Sequence, residues 1–208
     1  MNSKLYYHFG IEFDEGKTPK HITKDNFVNK ELPQNQYLTN FAKDQALKNY
    51  SLNMQYFRKL DEESFNIAVR QLLKIAHFIN VSDLNVLKGK KGIYILVLDK
   101  YKQLYIGQSF RDLKERIIRH FKITIPYQRV PFIINDTLPI DAFKPLDTTR
   151  IFVLLNENQD ILNEIEGMLI SNCPKQFMLN KTIGGKSNTM RDFAIRLSTG
   201  RIKKPIND

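Results

Sequence analysis

The chain has 208 residues, 42% hydrophobic and 26% charged, with a formal net charge of +10 and a single cysteine. That length holds one ordinary domain plus a smaller accessory unit and can bury a real core. The composition is that of a soluble globular protein, and no segment approaches the run of roughly 18 apolar residues that a membrane span needs. Cys173 excludes an intrachain disulfide and a cysteine-based zinc site, and the start Met1 to His8 lacks the pattern of a secretory signal, so a cytoplasmic location is the expectation. Residues 1 to 85 carry 11 basic and 10 acidic side chains, against 21 and 12 in residues 86 to 208, so +9 of the charge lies in the second part. A basic excess of that kind attracts polyanions through counterion release, or simply solvates the surface.

In chain order, residues 4 to 13 alternate weakly as a strand, and a turn signal follows around Gly16 and Pro19. Helical spacing of apolar residues runs from about Asn35 to Asn49 and again from Glu62 to Ile79, where Phe65, Ala68, Val69, Leu72 and Leu73 form a broad face. Ser82 to Lys91 is a polar, lysine-rich connection. It is the expected boundary between a mostly helical accessory module, residues 1–85, and a second domain, residues 86–208. From Gly92 the sequence Gly-Ile-Tyr-Ile-Leu-Val-Leu, a polar turn at Asp99 to Gln103, and Leu-Tyr-Ile predict a β-hairpin. Ser109 then opens a helix as its N-cap, with Leu113, Ile117, Ile118 and Phe121 as the apolar face.

The stretch from Thr124 to Thr149 holds four prolines and no usable periodicity, and reads as a specificity loop or an insertion. A third strand follows at Arg150 to Leu155, then a helix from about Asp160 to Asn172 that ends before Pro174. The C-terminal 24 residues carry six Lys or Arg against two Asp, with weak helical character near Met190 to Leu197. The expected fold class is α/β (α+β): a small mixed or antiparallel three-stranded sheet flanked by helices, preceded by the helical module.

Several residues in the second domain sit where chemistry is expected. Arg116 and His120 are four apart on one helix, so both side chains face the same way at the rim of the apolar stripe. Glu166 projects from within an apolar sector formed by Ile161, Leu162, Ile165, Met168, Leu169 and Ile170. A carboxylate there is costly unless it is ion-paired or binds a cation. Tyr94 and Tyr105 could be ordinary strand aromatics packed on a helix. Gly184-Gly185-Lys186-Ser187 looks like the tail of a phosphate-binding loop, yet position 180 is Asn and not Gly, so it is not a Walker A motif. His8, His21 and His77 lack metal-ligand spacing, and His77 reads as a satisfied core histidine in an apolar helix.

Gly92-Ile93-Tyr94, followed after ten intervening residues by Tyr105-Ile106-Gly107, resembles the paired motif that names the GIY-YIG nuclease superfamily. Arg116, His120, Glu166 within Glu-x-x-Leu-Ile, and Asn180 follow in the family's order, and the resemblance covers about Gly92 to Gly185. It implies Tyr94, Tyr105, Arg116, His120, Glu166 and Asn180 as the catalytic set, with Glu166 holding Mg²⁺ or Mn²⁺. Lys91, Gln108, Ser109, Arg119 and Lys186 are the neighbouring candidates for contacting nucleic acid. The implied activity is metal-dependent endonucleolytic hydrolysis of DNA, double-stranded for preference, by a monomer or a homodimer. Arg-x-x-x-His is closest to the restriction-endonuclease branch, so restriction or defence ranks ahead of a mobile-element or phage nuclease, and a repair or recombination nuclease comes third. Either Tyr94 or His120 could be the general base. The rival from another class is a nucleic-acid-binding module without catalysis.

Overall fold

A computed structural model describes residues 4–27, 36–122 and 137–180. The fold is mixed α/β, with five helices and two antiparallel sheets among the described residues. The chain runs β1 (Leu5–His8), β2 (Ile11–Asp14), α1 (Lys24–Phe27), α2 (Gln36–Lys59), α3 (Glu62–Leu73), β3 (Ile79–Asn80), β4 (Gly92–Leu98), β5 (Gln103–Ser109), α4 (Leu113–Lys122), β6 (Arg150–Leu155) and α5 (Gln159–Asn172). Strands β1 and β2 form a two-stranded sheet; the main sheet has the order β3-β6-β4-β5.

The central strand β4 is buried at all seven positions, because hydrophobic layers cover both faces of the sheet. Alternation splits its residues between them. Tyr94, Leu96 and Leu98 face a cluster with Ile151 and Val153 of β6, Leu113, Ile117 and Phe121 of α4, Phe57 of α2, and Tyr6 and Phe13 of the first hairpin. Ile93, Ile95 and Val97 face the other cluster, with Phe65, Ala68, Val69 and Leu72 of α3 and Leu162, Leu169 and Ile170 of α5. The N-terminal elements thus share both cores with the main sheet.

Local structure departs from the sequence expectation in ways that packing explains. The main sheet has four strands and not three, since Ile79 and Asn80 pair with Val153 and Phe152. The helix expected over Glu62 to Ile79 therefore ends at Leu73, with Lys74 as its C-cap. Tertiary strand pairing overrides helical periodicity there, and His77 lies exposed after the helix rather than in a core. Helix α2 continues ten residues past Asn49, beyond the apolar pattern of the sequence, with a buried stripe that is partly polar: Asn49 and Asn53 are each 1% exposed, between Ala46 and Phe57. The Asn53 amide donates to the Asn49 carbonyl at 2.8 Å, and its oxygen accepts from the Leu138 N–H at 3.3 Å. Residues 4 to 13 form a hairpin rather than one strand, closed by a two-residue turn at Phe9 and Gly10, both with positive φ. The β4–β5 turn spans four residues, 99 to 102, with Lys102 left-handed at φ 49.

One buried carboxylate ties the N-terminal part to the rest. Asp147 accepts from the Ile22 N–H at 2.7 Å, the Lys144 N–H at 2.9 Å and the Tyr101 hydroxyl at 2.9 Å, and His21 Nδ1 lies 3.0 Å from it. Removing it leaves these buried donors unsatisfied, at about 1–3 kcal/mol for each fully desolvated group. Asp147→Ala is expected to lower stability by about 3 kcal/mol or more, seen in urea unfolding as a lower midpoint with an unchanged slope.

Candidate active site

The site begins with strand register. In the β4–β5 pair Tyr94 stands opposite Gly107, and Leu96 opposite Tyr105. Tyr105 is therefore a diagonal neighbour of Tyr94 on the same face, with ring centroids 6.1 Å apart. A one-residue slip would send one of the two rings to the opposite face. The glycines of the two motifs are required by close approach: a Cβ on Gly107 would stand 2.5 Å from the Tyr94 hydroxyl, and a Cβ on Gly92 would stand 2.1 Å from the Leu154 carbonyl oxygen.

Helix α4 brings the next two groups. Its N-terminus is capped by Asp112, not by Ser109: Asp112 accepts from the Glu115 N–H at 2.9 Å and from the Gly89 N–H at 2.7 Å. Ser109 instead donates its hydroxyl to the Asp112 carbonyl at 3.0 Å. Leu113, Ile117 and Phe121 bury one side of α4, which turns Arg116 and His120 toward the two tyrosines. The Tyr94 hydroxyl and His120 Nε2 are 2.7 Å apart, and the rings of Tyr105 and His120 meet edge to face at 5.1 Å. The Arg116 guanidinium stands close enough to both tyrosine hydroxyls for its charge to act on them.

Glu166 enters from α5 and is 7% exposed. Its charge is felt at the hydroxyls of both Tyr94 and Tyr105. Asn180 has a scaffolding position. Its amide donates to the Ile106 carbonyl at 2.6 Å and its oxygen accepts from the Ile106 N–H at 2.9 Å, so it pins the segment after α5 to the outer edge of β5 between Tyr105 and Gly107.

These neighbours set the protonation of the site. Burial, reinforced by the neighbouring Tyr105, raises the Tyr94 phenol well above its usual value, and Arg116 only partly opposes this. Burial likewise raises Tyr105 against the pull of Arg116. Burial works against the Arg116 charge, yet the two phenols and Asp141 more than offset it, and the guanidinium is held firmly protonated. Tyr94 is fully buried, so it forms the floor of the site, while Tyr105 and Arg116 are half-buried at its mouth.

The other expected nucleic-acid contacts are dispersed. Lys91 pairs with Glu157 at 2.8 Å on the surface, and Arg119 is exposed on α4. Gln108 points to the opposite face of the sheet, where its amide donates to Asn163 of α5 at 2.9 Å. Lys186, the turn around it and the weak helical stretch near Met190 lie outside the described residues, as do residues 123–136 of the proline-rich stretch. The described part of that stretch supplies a residue the sequence did not single out. Asp141, in the short turn Ile140–Ala142, is hydrogen-bonded to His120 Nδ1. Only the acidic character of a residue between Ile140 and Ala142 could have hinted at it.

Among the described residues no group of three or more His, Cys, Asp or Glu could hold a metal ion. A cation at Glu166 would find further ligands in water and a bound phosphate. That suits Mg²⁺, which commonly takes one or two carboxylates and keeps several waters. Comparison of the chain with protein-family models, with curated proteins and with solved structures finds no match.

The raised phenols make stability depend on alkaline pH. A phenol whose folded value lies above the unfolded value of about 10 stabilises the fold fully below pH 10, and that contribution is lost as pH rises through the folded value. Tyr6 is pushed up to about 12, mainly by burial, and Tyr94 and Tyr105 are raised in the same direction. Stability is expected to hold to about pH 10 and to fall steeply toward pH 12. The chain has nine Tyr and no Trp, so ultraviolet titration reads the phenols directly. Ionisation of the buried tyrosines should coincide with unfolding by circular dichroism; smooth titration of all nine near pH 10 in a folded chain would contradict it.

Proposed function

We propose that the chain is a metal-dependent endonuclease that hydrolyses phosphodiester bonds in DNA. The observation that carries the reading is the convergence of Tyr94, Tyr105, Arg116 and His120 on one face of the β4–β5 hairpin, with the buried carboxylate of Glu166 acting on both phenols. The resemblance to GIY-YIG nucleases supports it, as does the +9 charge carried by residues 86 to 208.

In this reading a scissile phosphate sits at the half-buried mouth of the site. Arg116 binds its non-bridging oxygens, a task for which the planar guanidinium fork suits phosphate. Tyr105 donates a hydrogen bond to a phosphate oxygen or to the attacking water. A Mg²⁺ or Mn²⁺ ion bound by Glu166 would supply neutralisation of the charge that builds on the phosphate and on the 3′ leaving oxygen. Tyr94 is too firmly protonated to act alone as the base. It relays instead: its hydroxyl takes a proton from the attacking water while giving its own to His120 Nε2. The water oxygen bonds to phosphorus, the bond to the 3′ oxygen breaks, and that oxygen takes a proton from solvent. His120 later returns the proton it gained. Asn180 fixes the β5 backbone beneath Tyr105.

Double-stranded DNA is the preferred substrate in this reading, in the cytoplasm and in a restriction or defence setting, with a homodimer as the simplest way to cut both strands. A purely binding module is the disfavoured alternative, because every residue type of the catalytic set that the resemblance implies is present in the chain.

The test is cleavage of supercoiled plasmid by the purified chain in Mg²⁺ or Mn²⁺. EDTA and Glu166→Ala are expected to abolish cutting, and Arg116→Ala to reduce it about 10²- to 10³-fold. Cutting by Glu166→Ala at the wild-type rate contradicts the metal site. Tight, salt-sensitive binding with no cutting of any duplex, single-stranded or branched substrate favours the binding module.

A further inference from the structure

Both ring nitrogens of His120 are engaged, by groups of different hydrogen-bonding character. Nδ1 faces the carboxylate of Asp141, which when ionised can only accept, so Nδ1 carries the ring proton. In the neutral ring Nε2 is then a bare lone pair, and the Tyr94 hydroxyl stands 2.7 Å from it as the donor. The backbone behind Asp141 is anchored: Ile140 and Ala142 on either side are buried in the same cluster as Tyr94 and α4. The charge of Asp141 also reaches Arg116, Tyr105 and the buried Lys144.

We propose that Asp141 is the positioning residue of this site: it holds His120 as the Nδ1–H tautomer, so that Nε2 can accept the Tyr94 proton, and it balances the imidazolium that then forms. The proposal rests on the hydrolytic reading given above. It assigns a function to the 137–148 stretch, which carries no recognisable motif yet supplies the group that decides which nitrogen of His120 is basic. The proton ledger closes without a co-reactant: one proton leaves the water for the Tyr94 oxygen, one leaves that oxygen for Nε2, and the Nδ1 proton stays on its nitrogen, bonded to Asp141. In the opposite tautomer Nε2 would itself be protonated and the relay from Tyr94 would stop.

The test uses the full chain with ¹⁵N-labelled histidine, whose ring nitrogen shifts identify the tautomer, alongside plasmid cleavage. The chain has four histidines, so His120→Gln assigns the signals. Wild type is expected to show His120 as Nδ1–H. Asp141→Ala is expected to give a mixture of tautomers and a roughly 10- to 100-fold slower cleavage at unchanged duplex affinity, with Asp141→Glu restoring both readouts in part. His120 found as Nε2–H in wild type overturns the proposal, and so does wild-type cleavage by an Asp141→Ala chain whose tautomer has changed. A wild-type chain that cuts nothing, in which Asp141→Ala still shifts the tautomer, supports the positioning role and overturns only the hydrolytic reading.

Discussion

The register of β4 against β5 is the constraint on which the rest depends. Pairing Tyr94 with Gly107 puts both motif tyrosines on the face that α4 covers, and it sets Ile93, Ile95, Leu104 and Ile106 on the face covered by α3 and α5. A slip of one residue would carry Tyr105 into the layer packed on α3 and α5 and move Leu104 and Ile106 to the α4 side, so two hydrophobic layers enforce the arrangement from opposite sides. The Tyr94 ring leaves no room for a Cβ at Gly107, and Gly92 lets β4 approach the backbone of β6. The same packing that stabilises the sheet therefore fixes the geometry of the polar groups above it.

Those polar groups are held in a tense electrostatic balance. Burial drives the phenols of Tyr94 and Tyr105 toward their neutral forms, while Arg116 draws them the other way and the charge of Asp141 favours its guanidinium. Glu166 lends a second, negative pole from α5. Arg116, held charged at the mouth of the site, gives the cluster a pole suited to an anion. Asp147 carries out a separate, structural task with the same economy of donors. It gathers backbone and side-chain groups from residues 22, 101 and 144 and so binds the N-terminal part to the hairpin.

Much of this was legible in the sequence where local pattern and tertiary need coincide. The β-rich run from Gly92, the apolar stripe of α4 and the four-residue spacing of Arg116 and His120 all lead to elements the structure contains. Glu166 stood out because a carboxylate in an apolar sector needs a reason. Other features were hidden because distant partners decide them. Ile79 and Asn80 continue a helical pattern in sequence but find β6 in space. The C-terminal half of α2 was obscured by Asn49 and Asn53, polar residues buried because each has a partner. Ser109 and Asp112 are both plausible caps, and only the geometry shows that Asp112 takes the backbone N–H groups. Asp141 was invisible, since nothing local distinguishes it and its meaning comes from His120, 21 residues away in the chain.

The central claim is that Glu166 and Arg116 flank one phosphate-sized site that takes a divalent cation. The most direct measurement is anomalous diffraction from crystals of the full chain soaked with Mn²⁺ and a nucleoside monophosphate. A single manganese peak about 2.0–2.2 Å from a Glu166 carboxylate oxygen, with the phosphate bridging from it to the Arg116 guanidinium, is the expected result. Manganese bound elsewhere with Glu166 bare, or a phosphate held away from Arg116, would contradict it.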